Sequence, residues 1–264
     1  MHTDTMTGGW FADCRSCGAT KQANLAGRPS ECNRKLTVRL RARQYIGRVK
    51  VGILGGTGPQ GRGLARRLAA AGHDVLIGSR SAERAELIAA EYRGAGHSGR
   101  IAGGSNSDAA AAELVIVTVP YEGHADMLSS LATELTGKIV VDSVNPLGFD
   151  KHGPFPLRVA AGSAAQEAQQ LLPESTVIAA FHHVSADLLD DPTVDHFADD
   201  VLVLGEDRGA VAVVCELATA IPGARGVYAG RLRNAGQVEA LTANLIAINR
   251  RYKTRAGIAI TGMS

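Results

Sequence analysis

A strand that runs straight into a glycine turn and out into a helix limits this chain more than any other feature. Lys50-Val51-Gly52-Ile53-Leu54 is a short β-rich run, and Gly55-Gly56-Thr57-Gly58-Pro59-Gln60-Gly61 follows it without a break. Leu64, Leu68 and Ala71 then fall on one helical face, and Gly72 stops the helix. Gly56, Gly58 and Gly61 are the three glycines of a GxGxxG string. Such a turn lets the backbone come close to a pyrophosphate, which sits at the positive N-terminus of the next helix, where amides lack intrahelical partners. Context gives the string its weight. A second copy, Gly94-Ala95-Gly96-His97-Ser98-Gly99, follows a helical pattern over 81–92 and precedes a strand. That order is wrong for phosphate binding, and it reads as a helix-to-strand loop.

The next strand, Asp74-Val75-Leu76-Ile77-Gly78, ends in Ser79-Arg80. This is about 20 residues past the glycines, where an NAD site would place Asp or Glu for the ribose 2′-hydroxyl. No acid stands there. Ser79 can donate to a 2′-phosphate, Arg80 offers it a forked cation, and Arg84 adds charge one turn into a helix capped by Ser81. NADP(H) is the expected dinucleotide.

The alternation of strand and helix continues through 100–102, a helix near 108–113 and the apolar run Leu114-Val115-Ile116-Val117-Thr118-Val119-Pro120. A continuous apolar strand implies burial on both faces. A helix over 124–135 leads to Lys138-Ile139-Val140-Val141-Asp142-Ser143-Val144-Asn145-Pro146. Strand C-termini gather at one edge of such a sheet, so Val119, Pro120, Val144, Asn145 and Pro146 should line the nicotinamide cleft. Residues 147–162 hold glycines and prolines without periodicity and read as an active-site loop. Beyond them come a helix (163–172), a strand (176–181), a strand (201–204), a helix (208–221), a strand (226–229) and a long helix from 234. Val238, Leu241, Leu245, Ile248 and Tyr252 make an apolar stripe on that last helix, the pattern of core or dimer interface. The fold class is α/β, a Rossmann-type doubly wound, mostly parallel sheet with a smaller C-terminal helical and α+β domain. Its parts are a disordered basic extension (1–48), an NADP-binding Rossmann domain (49–146) and a continuation of the sheet with a smaller C-terminal domain (147–264).

Composition excludes several functions. Residues 1–49 hold nine Lys and Arg against three acids, or +6, and the remainder nineteen against twenty-three, or −4. A nucleic-acid binder would carry its basic patch on the folded body, which here is mildly acidic. No apolar run reaches the roughly 18 residues that span a bilayer, and the start, MHTDTMTGGW, lacks the pattern of a secretory signal. A cytoplasmic protein is expected. Cys14 and Cys17 form a CxxC with Cys32 beyond, but no fourth ligand follows, and no metal site is assigned. Cys215 lies in an apolar run and reads as core.

Phe181-His182-His183-Val184 closes a predicted strand. Neighbouring side chains on a strand point to opposite faces, so the two histidines do not share an ion. The chain carries no Ser-His-Asp set, no Tyr-x-x-x-Lys pair and no P-loop.

Gly55-Gly56-Thr57-Gly58, Ser79-Arg80, Phe181-His182-His183 and Ala229-Gly230-Arg231-Leu232-Arg233-Asn234 together resemble the NADPH-dependent coenzyme F420 reductases over roughly residues 49–256. The resemblance implies hydride exchange between C4 of the nicotinamide and C5 of an 8-hydroxy-5-deazaflavin. Both reacting atoms then belong to cofactors, which accounts for the shortage of acid and base residues. It also implies that Thr57, Gly58, Pro59 and Gln60 hold the pyrophosphate and that Ser79, Arg80 and Arg84 hold the 2′-phosphate. His182 and Val184 would lie against the rings, with His182 positioning and polarising the deazaflavin, and the C-terminal helices of 147–264 would form the smaller domain closing over the deazaflavin and build a homodimer. His183 and Ser185 depart from the family pattern, and the first 48 residues have no counterpart in it. The rival readings are a reductase of a small imine or 2-oxo acid, which would need a proton donor at the reacting atom, and a non-catalytic NADP(H) sensor.

Overall fold

The computed structural model describes residues 47–93 and 99–263. Cys14, Cys17, Cys32 and most of the second glycine string therefore lie outside the described residues. Ten strands and nine helices follow: β1 (Lys50–Leu54), α1 (Pro59–Ala70), β2 (Asp74–Ser79), α2 (Ala82–Arg93), β3 (Ile101–Ser105), α3 (Asn106–Ala110), β4 (Leu114–Val117), α4 (His124–Ser130), α5 (Ala132–Leu135), β5 (Ile139–Asp142), β6 (Leu147–Asp150), β7 (Gly153–Pro156), α6 (Ala164–Leu171), β8 (Thr176–Ala179), α7 (Ala186–Asp190), β9 (Asp200–Leu204), α8 (Arg208–Thr219), β10 (Arg225–Gly230) and α9 (Ala235–Tyr252).

Eight strands form one sheet in the order β10-β9-β8-β5-β4-β1-β2-β3. The run from β3 to β8 is parallel, while β9 and β10 are parallel to each other and antiparallel to β8. The chain thus winds outward from β1 to β3, returns to β4 beside β1, and winds the other way. That reversal leaves a crevice at the carboxyl ends of β1 and β4.

Apolar residues explain why the sheet is sandwiched. In β4, Leu114 and Ile116 join the core beneath α1, α2, α7 and α8, whereas Val115 and Val117 join the core beneath α3 to α6 and α9. All four are fully buried. Each stabilises the fold by about 1.5–3 kcal/mol relative to an exposed side chain. Gly52 lets α3 cross β1 closely, since a Cβ there would stand 1.9 Å from the Ala109 carbonyl oxygen.

Boundaries differ from the sequence expectation mainly where tertiary contacts decide them. The helix expected over 124–135 is split, because Leu131 leaves helical geometry between α4 and α5. The stretch 147–162, read as an aperiodic loop, contains a two-stranded antiparallel hairpin of β6 and β7. Its turn is built by the Asp150 carboxylate, which accepts the His152 and Gly153 amides. Gly153, at φ +119°, supplies a conformation that a side chain would strain.

Candidate active site

The glycine turn is formed by close approach rather than by side chains. Gly55 sits at φ +66°, and a Cβ on it would lie 2.5 Å from Val119 Cγ1. Its N–H donates to Asn106 Oδ1 (3.0 Å), so α3 holds the turn from the far side of β2. The Gly56 N–H donates to the Gly78 carbonyl (2.9 Å). Gly61 is buried, with space for a Cβ only 2.4 Å from Gly56 Cα. Pro59 opens α1, its Gly58 N-cap has no side-chain cap, and the first turn holds no acid. The helix therefore presents free amides and a positive dipole end to an anion.

At the end of β2, Ser79 is buried and its Oγ accepts the Ser81 N–H (3.2 Å). Ser81 Oγ in turn accepts the Arg84 N–H (3.2 Å). Arg80 and Arg84 are exposed on the same side of the crevice. The Glu83 carboxylate accepts the Ser81 hydroxyl (2.8 Å).

A cleft of about 1290 Å³ joins these parts. Gly55, Thr57, Gly58, Pro59 and Gln60 form its floor, Ser79, Arg80 and Arg84 one end, and Val119, Pro120, Val144 and Asn145 the other. The hydroxyls at that second end are turned inward: Thr118 donates to the Leu54 carbonyl (2.9 Å) and Ser143 to the Val117 carbonyl (2.7 Å). The wall that remains is largely apolar.

Five of the expected residues lie outside the cleft lining. Gly56 and Gly61 pack within the turn. Pro146 is buried one residue beyond Asn145, where its carbonyl accepts the Leu157 N–H (2.8 Å) and closes the base of the hairpin. Val184 is buried in the core beneath α7. His182 is 2 % exposed, and neither ring nitrogen has a partner. Burial pushes its pKa down to about 4, so the ring is neutral near pH 7. His183 is neutral for the same reason, its Nε2 accepting the Leu202 N–H (3.2 Å).

The backbone that carries His182 is anchored to the cleft. Phe181 adopts φ +65°, a conformation that costs a non-glycine residue about 1 kcal/mol or more. Its carbonyl accepts Gln60 Nε2 (3.0 Å), and the next carbonyl, of His182, accepts Asn145 Nδ2 (2.8 Å) and Thr242 Oγ1 (3.0 Å). Gln60 and Asn145 thus serve both as cleft lining and as supports for the histidine corner.

Some site residues had no counterpart in the sequence reading. Glu122 and Asp126 place exposed carboxylates on the rim near α4. Asn106 was within reach of sequence reasoning, because it stands inside the Ser105-to-Asp108 capping box at the end of β3, on the edge where strand C-termini meet. Among the described residues no group of three or more His, Cys, Asp or Glu is arranged to hold a metal.

A doubly wound sheet with an uncapped glycine turn at its switch point, and basic residues at the end of β2, defines a dinucleotide-binding oxidoreductase of the Rossmann class. Residues 50–146 match the family model described as NADP oxidoreductase, coenzyme F420-dependent. An F420-dependent NADP reductase of Methanocaldococcus jannaschii is 40% identical over 225 residues, covering 81% of this chain and 99% of that protein. One from Methanothermobacter thermautotrophicus is 38% identical over 226 residues, covering 81% and 96%. A crystal structure of a protein from Arthrobacter sp. FB24 aligns with a TM-score of 0.65 at 28% identity, over 80% of this chain and all of that one. The chain belongs to the family of F420-dependent NADP reductases.

Proposed function

We propose that this reductase transfers a hydride between NADP(H) and the deazaflavin coenzyme F420, both bound as small-molecule co-substrates at the switch-point cleft. The observation that carries the reading is the size and continuity of that cleft. At about 1290 Å³ it exceeds the roughly 300–1,000 Å³ of a site for one drug-sized ligand, and it runs from Arg80 and Arg84 to Val144 and Asn145. The glycine turn and the N-terminus of α1 would hold the pyrophosphate, and Ser79, Arg80 and Arg84 the 2′-phosphate. Val119, Pro120, Val144 and Asn145 would bound the nicotinamide. His182 and Val184 would support the deazaflavin from behind, and contact between His182 and a ring would require the corner at Phe181 to turn outward.

The reaction moves two electrons and a proton as hydride from nicotinamide C4 to deazaflavin C5, with one further proton taken from solvent. The protein's part is to orient two rings and exclude water, which suits a wall whose hydroxyls are already committed to strand carbonyls. Mixing the protein with NADPH and oxidised F420 should bleach the deazaflavin's visible absorbance, with NADH far less effective. NADPH binding without bleaching would instead favour a sensor or a reductase of a small imine or 2-oxo acid.

The same reading makes the protein a cytoplasmic homodimer. Leu241, Ile248 and Tyr252 on α9, and Phe149, Phe155 and Leu157 on and beside the hairpin, expose large apolar surfaces. A C₂ interface over such a surface would bury it. Ile248→Asp should then shift the protein to the monomer in sedimentation; a wild-type monomer would refute the assembly.

A further inference from the structure

Three ionisable side chains meet behind the second end of the cleft, and the reaction does not use them. His124 and Asp142 are fully buried, with Nε2 of the histidine 2.6 Å from Asp142 Oδ2. Its Nδ1 lies 3.3 Å from Glu167 Oε2. With both acids ionised, each ring nitrogen has an acceptor to donate to, which favours the imidazolium. Burial lowers the His124 pKa, but the bonds and charges of Asp142 and then Glu167 outweigh it, and the net shift is upward.

The placement of the three gives them a role. His124 opens α4 directly after the turn Tyr121–Gly123, and Pro120, Glu122 and Gly123 line the cleft. Asp142 ends β5 directly before Ser143, Val144 and Asn145, which line it from the other side. The second oxygen of Asp142 accepts the Val144 N–H (3.1 Å). Glu167 ties the pair to α6. A core that needed only stability would be served as well by apolar side chains, since desolvation offsets the gain of a buried ion pair.

We propose that His124, Asp142 and Glu167 form a positioning clamp that fixes the β4–α4 loop against the end of β5 and so sets the geometry of the nicotinamide end of the cleft. His124 is a positioning residue, acting through Asp142 on Val144. The claim rests on the hydride-transfer reading for its kinetic effect, but not for its structural one. The other groups facing the clamp are Glu239 from α9, the Tyr121 ring 6.1 Å from His124, and His182 near Asp142.

The test uses Glu167→Ala, Glu167→Gln and His124→Gln in the full chain. Glu167 is the mildest site, since its side chain is 26% exposed. Glu167→Ala should lower kcat about tenfold while the NADPH Kd, read by fluorescence titration, moves less than about twofold. Glu167→Gln keeps an acceptor for Nδ1 and should restore most of that loss at pH 6. It also removes a negative charge, so His124 loses its second proton more readily and the alkaline limb of kcat should move to lower pH. His124→Gln should lower kcat further and speed hydrogen exchange at the Val144 amide. Wild-type kcat in Glu167→Ala, an unmoved alkaline limb in Glu167→Gln, or unchanged Val144 exchange in His124→Gln would each overturn the clamp. Wild-type protein that fails to reduce F420 with NADPH would refute the reaction instead, leaving the exchange measurement to decide the clamp.

Discussion

The two ends of the cleft are built by different means. At the dinucleotide end, consecutive residues from Gly55 to Gly61 form the turn, and the backbone amides at the start of α1 carry no side-chain cap. At the nicotinamide end, Asn145, His182 and Thr242 come together from three distant stretches, with His124, Asp142 and Glu167 behind them. One end depends on the absence of side chains, the other on side chains that hold one another. A single added methyl group should therefore break the first, whereas the second should yield gradually.

Gly61→Ala tests that contrast at its strongest. The new Cβ would meet backbone 2.4 Å away, which something must move to admit. NADPH affinity, followed by fluorescence titration, should fall by about a hundredfold, or roughly 3 kcal/mol. Affinity within about threefold of wild type would mean the turn is looser than its packing indicates.

A smaller effect is expected from Ser79→Ala with Arg80→Ala. The double variant should raise the NADPH KM by about tenfold to a hundredfold, the range of one or two charge-assisted hydrogen bonds, and leave the NADH and F420 KM values near their starting points. Equal increases for all three would contradict a 2′-phosphate site.

At the other end, pH is the probe. Glu239 on α9 is buried and accepts the Ala164 and Ala165 N–H groups (2.9 and 3.2 Å), capping α6 beside the clamp. Burial pushes its pKa up to about 7, with those amides pulling the other way. A carboxyl raised in the folded state contributes stability below its unfolded pKa and loses it as pH rises through the folded one. Glu239→Gln should therefore gain thermal stability relative to wild type as pH rises from about 4.5 to about 7, with a level difference above that. A Tm difference independent of pH would show that the carboxyl does not titrate there.

The histidine corner has the opposite sign. His182 and His183, each depressed to about 4, contribute stability above pH 6.5 and lose it as pH falls toward 4. Wild type should lose Tm over that interval faster than a His182→Asn, His183→Asn variant. Parallel curves would mean that neither ring is neutral and buried.

These contrasts also explain what could be read from sequence. The turn, the end of β2 and the ends of β4 and β5 were legible because a Rossmann unit places its chemistry at fixed offsets from apolar strands. The β6–β7 hairpin was not, since Gly148, Pro154 and Pro156 interrupt any alternation; only the Asp150 to Gly153 turn marked it. His124, Asp142 and Glu167 are 18 and then 25 residues apart, with no spacing rule to join them. The paired histidines were expected at the end of a strand over 176–181, whereas β8 stops at Ala179 and they stand in the turn beyond it, His183 bonded to the Leu202 N–H and both His182 nitrogens without partners. The bond from Thr242 of α9 to the His182 carbonyl joins residues 60 apart, which only the folded chain brings together.

Direct passage of hydride from one ring to the other is the step to test. NADPH deuterated at C4 should be mixed with the protein and oxidised F420 in ordinary water, and the reduced deazaflavin analysed by NMR. Deuterium should appear at C5, carried across without exchange. Reduced deazaflavin bearing solvent hydrogen at C5, or no reduction at all, would contradict it.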